Sequence, residues 1–95
     1  MLLYKLNRLE ESEAQLRRAK AADPQGWRAC FELGKIYSRW RKNDEAAREL
    51  EAALKMPIQD ADQTARISHL LGQVYLRMGR DEEARKVLAA AETKP

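Results

Sequence analysis

An all-α chain of antiparallel helix pairs stacked side by side is the fold class this sequence predicts, and three observations predict it. A block returns: Leu33-Gly34-x-x-Tyr37, with Ala46 nine residues after the tyrosine, reappears as Leu71-Gly72-x-x-Tyr75 with Ala84 nine residues further on. Apolar residues recur at helical steps of three and four, in Trp27, Cys30, Leu33, Gly34, Tyr37 and Trp40, and an answering stripe follows in Ala46, Leu50, Ala53 and Leu54. Most of the three prolines and four glycines fall between such stretches. A repeat of this length is a unit too thin to bury its own apolar face, so neighbouring units must lean on one another.

The register defines one domain over residues 1–95. Leu16, Leu50 and Leu88 share one position, and Ala19, Ala53 and Ala91 another, giving intervals of 34 and then 38 residues. The first unit, 1–24, is partial: a turn is expected at Asn7, followed by a second helix carrying Leu16 and Ala19 and closed by Pro24. The middle unit, 25–58, turns at Arg41-Lys42-Asn43, starts its second helix on Asp44-Glu45 in keeping with the helix dipole, and closes at Pro57. The last unit, 59–95, holds four additional residues between Pro57 and Leu71, about one helical turn. They predict a longer first helix or loop, starting near Asp60 or Asp62 as an N-cap. Gly79 then turns the chain into Asp81-Glu82-Glu83. Gly34 and Gly72 lie inside helices, where glycine costs roughly 1 kcal/mol against alanine, and close approach of a neighbouring helix is the expected compensation.

Composition narrows the function. Hydrophobic residues make up 44% and charged residues 35%, an ordinary balance for a soluble chain, while 6% aromatics leave alanine and leucine to do the packing. A net charge of +3 permits anionic partners without demanding them. Cys30 is a lone cysteine and no Cys/His set has metal-ligand spacing, so neither a disulfide nor a metal centre is expected. The opening apolar run is too short for a signal peptide and no stretch would span a bilayer. A soluble chain, cytoplasmic if anything, is expected, and a start partway through a unit suggests a piece of a longer protein.

These motifs resemble the tetratricopeptide repeat (TPR) family over nearly the whole chain. Residues 25–58 match through Leu33, Gly34, Tyr37, Ala46, Leu50 and Ala53, and residues 63–95 through Leu71, Gly72, Tyr75, Gly79, Ala84, Leu88 and Ala91. Residues 1–24 have Ser12 at the usual alanine and lack most of a first helix. Arg41 replaces a turn glycine, and Pro57 and Pro95 arrive one residue early, so departures from the family's turns are expected there. The resemblance implies a right-handed α-solenoid of about two and a half repeats, whose first helices line a concave face. It places on that face Tyr4 and Lys5, then Arg28, Phe31, Glu32, Lys35, Ser38 and Arg39, then Arg66, His69, Leu70, Gln73, Leu76 and Arg77. It does not imply the clamp by which some members hold a chaperone's terminal carboxylate: Arg66 matches one basic position, but Glu32 and Leu70 stand where asparagine and arginine are needed.

Charge separates the faces. Residues 25–42 carry five cations against one anion, net +4, and residues 44–56 two against four, net −2. A basic groove on an acidic-backed stack would focus field onto an acidic segment, and arginine can hold a carboxylate through two parallel hydrogen bonds. His69 lacks a nucleophile or an orienting acid at suggestive spacing and reads as a groove residue. Cys30, Trp27 and Trp40 fall on the buried stripe and read as packing. With no phosphate-cradling glycine loop and no Ser/His/Asp set, neither an enzyme nor a cofactor is expected. Nucleic acid is disfavoured for want of dense basic residues with exposed aromatics. The expected function is a non-catalytic protein-binding module that takes an acidic or extended partner segment. The alternative is a structural segment joining copies or neighbouring domains, a homo-oligomer included, through uncapped apolar ends: Leu2, Leu3 and Leu6 at one, Val87, Leu88 and Ala89-Ala90-Ala91 at the other.

Overall fold

Five helices follow one another, and no strand occurs among the described residues: α1 (Leu2–Ala22), α2 (Trp27–Arg39), α3 (Asn43–Leu54), α4 (Ala61–Arg77) and α5 (Asp81–Glu92). The computed structural model describes the backbone of residues 2–24 and 26–92 and the side chains of 8–24 and 26–89. Each helix packs on the next, and α2 also touches α4, so the two α2/α3 and α4/α5 hairpins lie side by side in a slab of 41 × 30 × 18 Å.

The expected turn at Asn7 does not form. Helix α1 runs unbroken through it. A single asparagine lowers helix propensity by well under 1 kcal/mol, whereas Arg8 to Ala22 is free of glycine and proline and rich in Glu, Arg, Ala and Leu.

The two later hairpins share one turn. Arg41 takes φ of 59° and Gly79, at the equivalent position, 77°. In both, the next amide reaches back to the tyrosine carbonyl: Lys42 N–H to Tyr37 at 2.8 Å and Arg80 N–H to Tyr75 at 2.9 Å. The departure expected at Arg41 is therefore absent. The side chain is tolerated in the left-handed region, at some energetic penalty, because the backbone bonds fix the turn.

Helix α4 has 17 residues against 13 in α2, so the four additional residues of the last unit form one more helical turn. Asp60 caps it, Oδ1 accepting from the Asp62 amide at 2.9 Å.

Small residues allow the close pairing. A Cβ built on Gly34 would stand 2.7 Å from Cγ and Cδ2 of Leu50, and one on Gly72 2.6 Å from the same atoms of Leu88. Leu33, Tyr37, Ala46, Leu50, Ala53, Ile67, Leu71, Val74, Tyr75 and Ala84 form a continuous core with Cys30 fully buried inside it. Trp27 and Trp40 pack partly buried against that core, Trp27 tilted on Phe31 at 6.3 Å and Trp40 on Tyr37 at 6.2 Å. Burial pushes the Cys30 thiol pKa up, which disfavours the reactive thiolate.

Candidate binding groove

Where α2 and α4 run side by side, a groove of about 510 Å³ opens, lined by Phe31, Lys35, Ser38 and Arg39 from one helix and Ala65, Arg66, His69, Leu70 and Gln73 from the other. The register explains it. Steps of three and four put residues 31, 35, 38 and 39 on one edge of α2, and the same steps put 65, 66, 69, 70 and 73 on the edge of α4 that faces it. Phe31 is buried and forms part of the floor, Leu70 and Ala65 are half-buried, and Arg39, Arg66, His69 and Gln73 are exposed.

The structure thus gathers eight of the residues that the resemblance assigned to the concave face (Phe31, Lys35, Ser38, Arg39, Arg66, His69, Leu70 and Gln73), together with Ala65. Others are placed elsewhere. Arg28 lies against the Trp27 ring, 5.4 Å from its centroid. Glu32 is ion-paired with Lys35 at 3.4 Å, and Lys35 also lies 4.6 Å from the Phe31 ring centroid. Arg77 is committed to the fold: its guanidinium donates to Ser38 Oγ at 2.7 Å and to the Ser38 carbonyl at 3.4 Å. Leu76 is 50% exposed and outside the groove. The side chains of Tyr4 and Lys5 lie outside the described residues.

Inside the groove the charges are of one sign. Lys35, Arg39 and Arg66 line it and, among the described residues, no carboxylate does. Arg39 and Arg66 have neither ion pair nor hydrogen bond among the described residues, whereas Arg17, Lys20, Lys35 and Arg80 are each paired with a glutamate. His69 shares a 3.2 Å hydrogen bond with Gln73 one turn along. A second groove, of about 530 Å³, lies on the other side of α2 between Arg8, Leu9, Ser12 and Arg39, so Arg39 stands on the wall between the two.

One polar device escaped sequence reasoning. The repeated tyrosines act at the joints between units rather than as plain core. Tyr37 donates to Glu13 Oε2 at 2.6 Å and receives a hydrogen bond from Arg17, while Tyr75 donates to Glu51 and lies under the Arg80 guanidinium. Burial first, then the Glu13 bond, raises the Tyr37 pKa to about 12, and the Tyr75 pKa rises through burial first and then its bond to Glu51. The Tyr37 hydrogen bond in turn lowers the Glu13 pKa despite partial burial, with Arg17 assisting. Each glutamate precedes its tyrosine by 24 residues, but the repeat register gave no signal for the pair, since position 51 is equivalent to 17 and not to 13.

Among the described residues no group of three His, Cys, Asp or Glu side chains converges as a metal site, and no helix is long and apolar enough to cross a membrane. No curated protein matches the chain. The family model described as tetratricopeptide repeat matches residues 31–95, which takes in α2 from Phe31 onward together with α3, α4 and α5 and leaves out α1. More than half of the chain is covered by that match, and the chain belongs to the tetratricopeptide repeat family.

Proposed function

We propose that this chain is a non-catalytic binding module whose groove between α2 and α4 receives an acidic segment of a partner protein. Tetratricopeptide repeats generally mediate protein–protein interaction and are generally non-catalytic. The observation that carries the finer reading is the unbalanced charge of the groove: two guanidiniums unpaired among the described residues and a lysine over a partly apolar floor, with no carboxylate among the described lining residues. An exposed arginine facing another cation across a groove gains little from the fold itself. An incoming carboxylate finds a charge-assisted bond there, in a recess where field is focused.

Peptide selection against the immobilised chain tests this. Wild type is expected to enrich peptides that combine acidic and large apolar residues, with binding that weakens as salt rises. The double variant R39E/R66E is expected to lose that enrichment while keeping its helical circular dichroism. An acidic set enriched equally by both proteins would refute the groove assignment.

A further inference from the structure

The groove reading above leads one step further, to the spacing of the groups that the groove accepts. The Arg77–Ser38 bond fastens the C-terminal ends of α4 and α2 to each other. Since the groove's walls are residues 31–39 of one helix and 65–73 of the other, the two helices run in the same direction. Arg39, next to Ser38, therefore stands at one end of the groove. Arg66 precedes Arg77 by eleven residues on α4, which at 1.5 Å per residue places its backbone about 16 Å back along the axis. Helical side chains lean toward the N-terminus, so the span between the positions that the two unpaired guanidiniums serve is roughly 10–16 Å. Within that span lie Phe31 and Leu70, while Lys35 is already paired with Glu32.

We propose that the groove recognises an extended segment of the form acidic–x–apolar–x–acidic. In an extended chain, residues i, i+2 and i+4 share one face, and i to i+4 covers about 13 Å at roughly 3.3 Å per residue. The outer carboxylates then meet Arg39 and Arg66, and the central side chain lies over Phe31 and Leu70. A helical ligand with acids at i and i+4 spans only about 6 Å and reaches one arginine at a time. Both acids are side chains, so no chain terminus is needed.

The test uses the whole 95-residue chain and fluorescein-labelled peptides, N-acetylated and C-amidated to remove terminal charges, read by anisotropy at low salt. One peptide carries Asp at i and i+4 with Leu at i+2. Its isomer of identical composition carries Asp at i and i+2 with Leu at i+4. A third replaces both Asp with Asn. The first is expected to bind about tenfold more tightly than its isomer, the loss of one charge-assisted pair. Arg39→Gln and Arg66→Gln are each expected to erase that difference. The Asn peptide provides the same comparison on the unaltered protein and is expected to bind at least tenfold more weakly than the first. If both isomers bind alike and both weaken in the Gln variants, the spacing proposal is overturned while the groove reading stands. If the peptides bind and neither variant weakens them, the groove reading fails as well. Absence of binding by the first peptide at millimolar concentration overturns the proposed pattern.

Discussion

Gly34 and Leu50 give the sharpest quantitative test of the packing, because the structure predicts opposite signs for one substitution in two backgrounds. In an isolated helix, Gly34→Ala would stabilise by roughly 1 kcal/mol. Here the added methyl would lie 2.7 Å from Cγ and Cδ2 of Leu50, about 1 Å inside ordinary carbon contact of roughly 3.5–4.0 Å. Leu50 is fully buried and has nowhere to retreat, so overpacking costs about 1–3 kcal/mol. The expected net effect is a loss of about 1 kcal/mol, seen as a Tm lowered by roughly 4–8 °C in a domain of this size. Leu50→Ala alone costs about 2–5 kcal/mol and opens a cavity beside Gly34. Within that cavity Gly34→Ala becomes stabilising by about 1 kcal/mol, since the clash is gone and the helix gain remains. Urea titration of the four proteins thus yields a coupling of about 2 kcal/mol. If Gly34→Ala stabilises the parent protein, or if the two changes add to within about 0.5 kcal/mol, the close approach of α2 and α3 is wrong.

The turns supply a matched pair of substitutions: Arg41→Gly relieves a left-handed non-glycine residue and is expected to stabilise by about 0.5–1 kcal/mol, part of the relief being offset by unfolded-chain entropy. Gly79→Ala, with nothing within 4 Å of its Cβ position, meets backbone strain alone and is expected to cost about 1 kcal/mol in the same urea assay. The Tyr37 hydroxyl predicts an alkaline effect. A folded pKa of about 12 against 10 unfolded means that its stabilisation is complete below pH 10 and is lost as pH rises from 10 through 12, on the order of 2 kcal/mol. Tyr37→Phe is expected to flatten that part of the stability–pH curve, and an unchanged slope would remove the hydroxyl from the balance.

What could be read in the sequence follows from which interactions are local. The hairpins were legible because glycine, leucine and alanine at fixed offsets report a helix period and a close approach directly, and Gly34 with Leu50 shows the reading carried through to atomic contact. The four additional residues before Leu71 were legible in number and place, but the sequence left open a longer helix or a longer loop and a cap at Asp60 or Asp62; in the structure α4 is longer and Asp60 caps it. The break assigned to Asn7 does not form, because a repeat register transfers a turn whatever the local sequence, and one asparagine in a run without glycine or proline does not stop a helix. There helix propensity, a local term, wins.

The groove was legible only in outline, because exposed side chains choose partners that periodicity does not encode. Arg77 and Arg39 occupy equivalent positions on their helices, yet one is fastened to Ser38 and the other is open to the groove. The difference arises from what each faces: Arg77 has α2 beside it, with a buried hydroxyl and a carbonyl to satisfy, while Arg39 looks onto the recesses on both sides of its own helix. The joints make the same point for polar groups. Position 17 of α1 and position 51 of α3 are equivalent by repeat, and both meet a tyrosine hydroxyl, but one is arginine and the other glutamate. Glu13, a turn earlier, supplies the acceptor that Arg17 cannot. The repeat therefore conserves the place of the tyrosine hydroxyl and the need to satisfy it, and leaves open which side chain does so. An exposed arginine that no neighbour claims is the residue left free to bind something else.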